Sequence, residues 1–559
     1  MPLFIDSPST RRLFNFAAFS ILALAAATII AGLLIPLYSD EIAVQMLRAR
    51  FFIEEAQLLN LLPQCDSLFS PTPLSWYPGA MLNAILYSGA SEIGLRTRGI
   101  ALFLAWLTLL WIWAGRHPQV LLSRRLFQTL VISFNMLGVL PFVLVLARAE
   151  QILVLALVIY CMLPLLWPWN PTDTRLVNFL KFVLFTSLTS AFFMAHPKAL
   201  FFAPAVLVSG WLTFKNSTIY LKAGIFALIL FTVFESLQYA QNLSRCPNAP
   251  LMAQTLGQHT LNLKLLSTDT LSFGKAALQN LFSSLPLILD RVPATSTYQS
   301  NWLPSTDKNA FLPFLNGFGQ VLKLSLLISI LLLLACFLYR LTSQIAHKRI
   351  RPSTLLALAV TSGIIVHATM YNVNAWHFYT PGLVIPLLVM LLLLTLYDQS
   401  TISDRARRTA IVAASYWFLL AFSSMAILLF TVTPQLVKIA RMDQHVIPNQ
   451  PLSTPVFLSS KRTEETLALA AQCGINDGDE RLVLDGEAYF QFQHGKGPIN
   501  ILYISDYAFG MDIGSKIPEF LRNLDSGGVL SRCEYLPKIL REKSISSGKL
   551  CCVSKSVWK

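Results

Sequence analysis

Two adjacent carboxylates, Asp40 and Glu41, follow directly after the first long apolar segment of the chain. The segment 13–37 is long enough to cross a bilayer, because a spanning helix needs about 20 apolar residues. Arg11 and Arg12 precede it, on the side that is expected to stay cytoplasmic. Acidic groups at the mouth of a membrane helix are costly to desolvate, which makes them candidates for a functional site. The simpler interpretation is that the two carboxylates only end the helix at the lipid headgroups.

Further ionisable and aromatic groups stand at the corners between later apolar segments, on the same predicted side of the membrane. They are Arg148, Glu150, His196, Lys198, His377 and Tyr379. Carboxylates beside cations at an outer-leaflet cleft suit an attack on a phosphate-linked substrate whose tail stays in lipid. A carboxylate can serve as the base for the nucleophile, and Lys or Arg can hold the departing phosphate.

Each of these residues also has a simpler explanation. Lys198 can extend to the headgroups, and His196 can satisfy backbone groups at a helix end. Trp376 and Tyr379 are typical of the aromatic belt at a membrane surface. Taken one at a time, the simpler explanations are favoured. The combination of these groups at one predicted membrane surface is what favours a site.

The composition predicts a polytopic α-helical membrane protein. Of 559 residues, 54% are hydrophobic and only 13% are charged, and the mean hydropathy is +0.57, which excludes an ordinary soluble enzyme. The net charge of +14 comes from Lys and Arg in short loops between apolar segments, where membrane insertion keeps them on the cytoplasmic side. The charge therefore indicates topology and contact with membrane lipid, and no nucleic-acid partner is expected.

About eleven membrane-spanning helices are predicted from the apolar segments. They cover 13–37, 99–114, 126–146, 152–166, 177–195, 199–214, 223–240, 320–339, 353–371, 380–396 and 409–431. The basic clusters of the alternate loops all fall on one side of this arrangement, as orientation by positive loops requires. We therefore expect a multi-pass protein of the cytoplasmic (inner) membrane, with the candidate site and the C-terminal domain on the periplasmic side.

The transmembrane domain is predicted to cover 1–432, with two long outer loops. Amphipathic segments in the loop 38–95 predict interfacial helices, and the second loop is 241–319. The proline-rich stretch 433–455 predicts a linker, and 456–559 predicts a small periplasmic α/β domain. In this domain we expect strands at 481–492 and 499–507 and helices at 463–472 and 517–524.

Six of the eight cysteines lie on the predicted outer face, which predicts at least one disulfide in the C-terminal domain. The six are Cys65, Cys246, Cys473, Cys533, Cys551 and Cys552. Adjacent Cys551 and Cys552 are not expected to pair with each other, because such a bridge strains the backbone. The alternative is free thiols. Neither a structural metal motif nor a nucleotide-binding motif occurs in the sequence.

The order of these motifs resembles the GT-C superfamily of membrane glycosyltransferases, such as the lipid A aminoarabinose transferase and the protein O-mannosyltransferases. The resemblance rests first on the Asp-Glu pair behind the first span, on the amphipathic loop, and on the Gly-x-Arg corner that ends at Arg96. It rests also on the Arg-x-Glu sequence of Arg148 and Glu150. The Arg often found soon after the Asp-Glu pair is missing, and Arg48 and Arg50 are the nearest substitutes.

Two later corners extend the resemblance. His196-Pro197-Lys198 is similar to the family's lysine corner before the sixth span. The corner Trp376-His377-Phe378-Tyr379-x-Pro381 is similar to the family's Arg-Tyr-x-x-Pro corner, with His in place of Arg.

The resemblance implies transfer of a sugar from a polyprenyl-phosphate donor to a glycan, lipid or protein acceptor, with inversion at the anomeric carbon. Asp40 would be the general base that takes the proton of the acceptor hydroxyl. Glu41 would orient that base or the acceptor, and Glu150 would be a second active-site carboxylate. The sugar would pass through an oxocarbenium-like state, as in glycoside chemistry.

The resemblance also implies a binding site for the donor phosphate. Lys198, helped by Arg148 and His196, would hold this group, and His377 and Tyr379 would be further site residues. Some members of the superfamily use a divalent cation near the carboxylates and others do not, so the resemblance leaves the use of a metal ion undecided.

Three other functions remain as alternatives. A polysaccharide polymerase or ligase would also use polyprenyl-linked glycans, and the loop 241–319 would suit it. A secondary transporter is expected to show paired repeats and charged or broken helices at the bilayer midplane, whereas the ionisable residues here lie mainly at span ends. A non-catalytic membrane scaffold would tolerate exchange of the outer-face carboxylates.

Overall fold

Apolar helices dominate the structure, a computed structural model that describes residues 8–38, 40–56, 58, 72–116, 122–245, 260–291, 312–372, 379–397, 404–441, 453–457, 460–476, 478, 480–496, 498–501 and 516–559. Within these ranges nine helices are long and apolar enough to cross a membrane. They are Asn15–Leu34, Glu92–Arg116, Ala149–Leu166, Arg175–Ala195, Ile219–Asn242, Pro313–Ala346, Pro352–Met370, Tyr379–Leu396 and Arg407–Ala440. The chain is therefore a multi-pass membrane protein, as its composition predicts.

The predicted span 126–146 is not one continuous helix. It consists of the helices Arg124–Asn135 and Leu140–Val143, and the chain turns between them at Gly138, where φ is +53°. Glycine adopts this left-handed conformation without the steric cost that a Cβ would bring. Because of this interruption, neither helix is long enough to span a bilayer alone.

The predicted span 199–214 is also shorter than a full crossing. It begins as a 3₁₀ helix, Pro197–Phe202, and continues as the α-helix Ala203–Thr213. Pro204 stands in the first turn of that α-helix, where the missing N–H would have had no partner anyway. Because two of the eleven segments depart from single long helices, the count of eleven spans stays a prediction.

The α-helices are numbered here in chain order. They are α1 Pro8–Ala31, α2 Leu47–Glu55, α3 Tyr77–Tyr87, α4 Glu92–Arg116, α5 Arg124–Asn135, α6 Leu140–Val143, α7 Ala149–Leu166, α8 Arg175–Ala195, α9 Ala203–Thr213, α10 Ile219–Arg245, α11 Leu265–Thr268, α12 Thr270–Arg291, α13 Leu312–Ala346, α14 Pro352–Met370, α15 Tyr379–Tyr397, α16 Asp404–Ile427, α17 Thr433–Ala440, α18 Ser460–Gln472, α19 Gly486–Gln491, α20 Ile517–Asn523 and α21 Lys538–Arg541.

The loop after the first span is largely helical in its described part. A π-helix, Glu41–Met46, leads directly into α2, and α3 follows later in the loop. Helix α3 packs closely on α8 at Gly79, where a Cβ would lie 2.7 Å from the Cα of Ala191. The Gly79 N–H also donates to Ser190 Oγ at 2.8 Å. This contact holds the loop against the end of α8, directly before the corner at His196.

A second close contact holds the corner that precedes α7. At Gly99 of α4, a Cβ would lie only 2.0 Å from the carbonyl oxygen of Val145. Gln151 Nε2 donates to the Gly99 carbonyl at 2.7 Å and to the Leu144 carbonyl at 2.6 Å. Only glycine lets the two backbones approach this closely. The corner with Arg148 therefore has a fixed position against α4.

The predicted outer loop 241–319 contains the long helix α12. Its polar side chains bond to the end of α14, with Asn280 Nδ2 3.2 Å from the Thr369 carbonyl and Ser284 Oγ 3.1 Å from the Ala368 carbonyl. Part of this loop is therefore packed structure.

The C-terminal region contains a sheet with helices, as predicted, and in its described part this sheet has five strands. Its strands are β3 Arg481–Leu484, β4 Ile499–Asn500, β5 Ser526–Arg532, β6 Ile545–Ser547 and β7 Leu550–Ser554. The order is β4-β3-β5-β7-β6, with β4, β3 and β5 parallel and the last two strands antiparallel. The predicted helices at 463–472 and 517–524 correspond to α18 and α20.

The predicted strand 481–492 is wrong in its second half. Strand β3 ends at Leu484, and α19 begins because the Asp485 side chain accepts from the backbone N–H groups of Glu487 and Ala488. An Asp at this position is a strong helix start. The predicted strand 499–507 is described only to 501, where β4 has already ended.

The proline-rich stretch 433–455 is more ordered at its ends than a linker. Helix α17 continues from the last span, and Pro434 in its first turn is compatible with a helix. Ser453–Thr454 forms strand β2, which pairs antiparallel with β1, Leu37–Tyr38, at the end of the first span. The residues between, 442–452, lie outside the described ranges.

Two disulfides occur in the C-terminal domain, as predicted. Cys473 pairs with Cys552 and Cys533 pairs with Cys551, at Cα–Cα distances of 6.2 and 4.9 Å. The adjacent Cys551 and Cys552 therefore bond to different partners. The predicted outer-face residues Cys65 and Cys246 lie outside the described ranges.

Candidate active site

The two carboxylates behind the first span have very different surroundings. Asp40 precedes the π-helix Glu41–Met46, and 43% of its side-chain surface is exposed. The side chain of Glu41 is fully buried. The turn into the helix therefore directs one carboxylate towards solvent and the other into the protein.

Glu41 forms a bidentate ion pair with Arg96 of α4. The two guanidinium nitrogens Nη1 and Nη2 lie 3.0 and 2.9 Å from Glu41 Oε1 and Oε2. The backbone N–H groups of Tyr38 and Ala147 also donate to this carboxylate, at 2.9 and 2.7 Å. Four donors fill the acceptor capacity of a carboxylate. The geometry therefore favours a structural role for Glu41 over contact with a substrate.

Arg96 joins three segments of the chain at the site. Besides Glu41, its guanidinium donates to the carbonyls of Ile35 at 3.1 Å, Pro36 at 2.9 Å and Val145 at 2.8 Å. All five N–H donors of the side chain are thereby used. The pair holds the end of the first span next to the corner that carries Arg148.

Arg148 lies between the two carboxylates Asp40 and Glu150. Its Nη2 is 2.9 Å from Asp40 Oδ2, and its Nε is 3.5 Å from Glu150 Oε2. The guanidinium also lies over the rings of Tyr379 and Tyr38, with the Cζ 4.9 and 5.5 Å from the ring centroids. Such contacts between a cation and an aromatic face are attractive. The arrangement orients Asp40, whose side chain is partly covered by protein and partly exposed.

His196 connects Glu150 to Lys198. Its Nδ1 accepts from the Lys198 backbone N–H at 3.1 Å, which starts the 3₁₀ helix. Its Nε2 is 3.9 Å from Glu150 Oε1, longer than a hydrogen bond. Burial, together with the positive charge of Lys198, lowers the pKa of His196 to about 3. The ring is therefore neutral at pH 7, with its proton on Nε2.

Lys198 is a buried cation at this site. Only 5% of the residue is exposed, and its Nζ donates to Thr380 Oγ1 at 3.2 Å. Thr380 stands at the start of α15, next to Tyr379. A compact ammonium with three donors suits a phosphate oxygen.

Arg48, the nearest substitute for the arginine that is missing after the Asp-Glu pair, lies beside the cluster. It lies on α2, 8% exposed. Among the described residues its one hydrogen bond runs from Nη1 to the Met194 carbonyl at 3.4 Å. Met194 is two residues before His196, and the positive charge of Arg48 contributes to the lowered pKa of that ring. A guanidinium has five donors, so Arg48 keeps donors for an anion at the site.

The charge of Asp40 is set by its neighbours. Desolvation by the surrounding protein raises the pKa of the Asp40 carboxyl, and the negative charges of Glu150 and Glu41 raise it further. Arg148 and Lys198 act in the opposite direction, but the pKa stays above its ordinary value. A carboxylate with a raised pKa is a stronger base than a free one.

A divalent cation does not fit between these carboxylates. Asp40 and Glu150 both face Arg148, whose charge would repel a metal ion placed there. In the described part of the chain, no three His, Cys, Asp or Glu side chains are grouped so that they could hold a metal ion.

The structure thus brings together most of the residues that the sequence singles out. Asp40, Arg148, Glu150, His196, Lys198 and Tyr379 form one connected cluster. Glu41 lies behind this cluster with Arg96, and His377 lies outside the described ranges. The pairing of Arg96 with Glu41 has no signal in the sequence, because the two residues are 55 positions apart.

A scan of the chain against models of known protein families finds no match, and a search of curated proteins finds none either.

Proposed function

We propose that this protein is a membrane glycosyltransferase of the GT-C type, which transfers a sugar from a polyprenyl-phosphate donor at the outer face of the cytoplasmic membrane. One observation carries the proposal: a half-exposed Asp40 is held by Arg148 at the rim of a buried cluster of carboxylates and cations. This cluster lies where spans end, so a substrate with a lipid tail can reach it from the bilayer.

In the proposed reaction Asp40 is the general base. It takes the proton of the acceptor hydroxyl while the acceptor oxygen forms a bond to the anomeric carbon of the sugar. The bond between that carbon and the phosphate oxygen breaks, and the phosphate keeps the electron pair. Attack from the face opposite the phosphate gives inversion. The products are the glycosylated acceptor and polyprenyl phosphate, and Asp40 returns its proton to water.

The cations of the cluster have two separate tasks in this proposal. Arg148 keeps Asp40 charged and oriented, since a neighbouring positive charge favours the ionised carboxylate. Lys198 and Arg48 hold the donor phosphate, where charge develops as the sugar leaves. His196 is neutral at pH 7, so it supports Lys198 through the backbone and does not supply charge.

The substitution Asp40→Asn tests the proposal. The amide keeps the shape of the carboxyl group but cannot accept the proton, and general-base catalysis contributes about 10²- to 10⁴-fold in rate. We expect a loss of this size with an unchanged melting temperature. The measurement is the release of polyprenyl phosphate from polyprenyl-phosphate mannose or aminoarabinose by purified protein in detergent with a membrane extract as acceptor.

Glu92→Gln is the matched control, because Glu92 is a carboxylate at the start of α4 and has no part in the cluster. This variant should keep the wild-type rate. If Asp40→Asn also keeps it, Asp40 is not the base, and a polymerase, a ligase or a scaffold becomes the better interpretation.

A further inference from the structure

The C-terminal domain meets the membrane domain at the segment that carries Asp40. Strand β2, at the entrance to the C-terminal domain, pairs with β1 in the register Leu37 to Thr454 and Tyr38 to Ser453. Tyr38 is two residues before Asp40. The backbone on the amino-terminal side of the proposed base is therefore bonded to the chain that enters the C-terminal domain.

The residue that follows the carboxylate pair is also in contact with this domain. A Cβ built on Gly486, the first residue of α19, would lie 2.9 Å from the Ile42 Cδ1 atom and 2.9 Å from Thr454 Oγ1. Ile42 is fully buried. Helix α19 therefore lies so close to the π-helix that a methyl group at Gly486 requires the Ile42 and Thr454 side chains to move.

Polar contacts extend the interface along α2. Arg50 Nη1 donates to the Gln493 carbonyl, and Arg481 of β3 forms an ion pair with Glu55. The Arg481 guanidinium also lies over the ring of Phe51, 5.1 Å from its centroid. These contacts link helix α2 to strand β3 and to the residues that follow α19.

One hydrophobic core joins the two domains. On the side of the first loop, its buried members include Leu37, Ile42, Met46, Leu47, Ala49 and Phe51. On the side of the C-terminal domain, they include Val456, Val483, Tyr489, Phe490, Ile499 and Val529. Because a close-packed core responds to a change of even one methylene group, a shift of the C-terminal domain moves the π-helix with it.

We propose that the C-terminal domain is a positioning element of the active site. It sets the location of the Asp40 carboxylate by packing against β1 and the π-helix. The proposal rests on the proposed sugar transfer. In this proposal the residues of the C-terminal domain do not contact the substrate. They act through the backbone of β1 and of the π-helix, while Lys198 and Arg148 are held by the membrane helices.

The substitution Gly486→Val tests this role by pushing on Ile42. The valine side chain must displace the Ile42 side chain, whose Cδ1 atom is the nearest neighbour. Because Ile42 is fully buried in the core that both domains share, we expect this displacement to move the π-helix, and a misplacement of about 1 Å can cost about 10²-fold in rate. We expect kcat to fall about 10- to 100-fold, with a smaller change in the KM for the donor. Gly478→Val is the matched control, because a Cβ there meets no atom of the described residues within 4 Å, and it should leave kcat unchanged.

A second substitution separates positioning from general damage to the fold. Ile42→Ala in the Gly486→Val protein makes room for the added side chain and should restore most of the lost kcat. Hydrogen exchange at the backbone amides of 41–47 gives a readout that needs no activity. It should be faster in Gly486→Val than in the wild type and slower again in the double variant. If Gly486→Val does not fold, Arg481→Gln replaces it, and it should show the same loss of kcat and the same faster exchange.

The outcomes distinguish this inference from the proposed function. A wild-type protein that transfers sugar, with unchanged kcat and exchange in Gly486→Val, would overturn the positioning role alone. A wild-type protein that transfers no sugar would overturn the proposed function, and the exchange data would still decide whether the C-terminal domain holds the Asp40 segment.

Discussion

Among the residues that the structure describes, the Asp40 carboxylate has one cation in direct contact, Arg148, and two further carboxylates nearby, Glu150 and Glu41. Desolvation by the surrounding protein is the largest cause that raises the pKa of Asp40, and Glu150 and Glu41 raise it further, so the pKa stays above its ordinary value although Arg148 lowers it. A base must be deprotonated to act, so the transfer rate should rise with pH as Asp40 loses its proton. The acidic limb of the pH profile should therefore lie above pH 4, near which a free aspartate has its pKa of about 3.9.

The Glu150→Gln variant should shift this pH dependence in a predicted direction. Removing the negative charge of Glu150 removes a cause of the raised pKa of Asp40, so the acidic limb of kcat/KM should move to lower pH. The Glu92→Gln protein should keep the wild-type profile. A limb that stays in place, or that moves to higher pH, would exclude Asp40 as the titrating group.

Arg48 gives a prediction about donor affinity. If its guanidinium binds the donor phosphate, Arg48→Gln should raise the KM for the donor, because a hydrogen bond to a charged group contributes about 1.5–3 kcal/mol, or about 10- to 100-fold. Arg116→Gln is the control, since Arg116 is exposed at the other end of α4. An unchanged KM in Arg48→Gln would leave Lys198 as the phosphate ligand among the described residues.

The ion pair of Arg96 and Glu41 holds three chain segments together, so its loss should affect the fold before it affects the chemistry. Removing one partner leaves a buried, unpaired charge and costs about 3–5 kcal/mol. We expect Arg96→Gln to lower the melting temperature in detergent by several degrees. Arg96→Lys should not restore it, because a lysine has three donors and cannot form the bidentate pair.

The exposed ion pair of Lys538 and Glu542 is the control for this effect. Its side chains are 89% and 65% exposed, and exposed pairs contribute little to stability. Lys538→Gln should therefore melt with the wild type. A wild-type melting temperature in Arg96→Lys would mean that the five donors of Arg96 are not needed.

For the whole molecule, orientation in the membrane is the central prediction. If the basic loops are cytoplasmic, residues in the loop 241–319 and in the C-terminal domain lie outside the cytoplasm. Reporter fusions after residues 300 and 540 should be active only as exported proteins, and a fusion after Lys348 should behave as cytoplasmic. Cytoplasmic reporter activity at residue 540 would remove the outer-face site from the proposal.

The sequence predicts nine of the long membrane helices and the position of the polar corners, but not the interruptions in the segments 126–146 and 199–214. A helix needs a fixed number of apolar residues to cross the bilayer, so the ends of the apolar segments place ionisable residues at a membrane surface whatever the packing. This physical limit is why Arg148, Glu150, His196 and Lys198 could be grouped before their contacts were known. The sequence predicts that the C-terminal domain contains a disulfide, but not which cysteines pair, because spacing does not decide which cysteines bond.

The different environments of Asp40 and Glu41 depend on contacts between residues that are distant in the chain. Adjacent carboxylates have the same chemistry in a sequence, and only the bond to Arg96, 55 positions away, separates a buried structural group from a half-exposed one. The same holds for Gly486, whose contact with Ile42 spans two domains. Local patterns follow from hydrophobic periodicity and helix ends, whereas these long-range contacts depend on how the finished surfaces pack against each other.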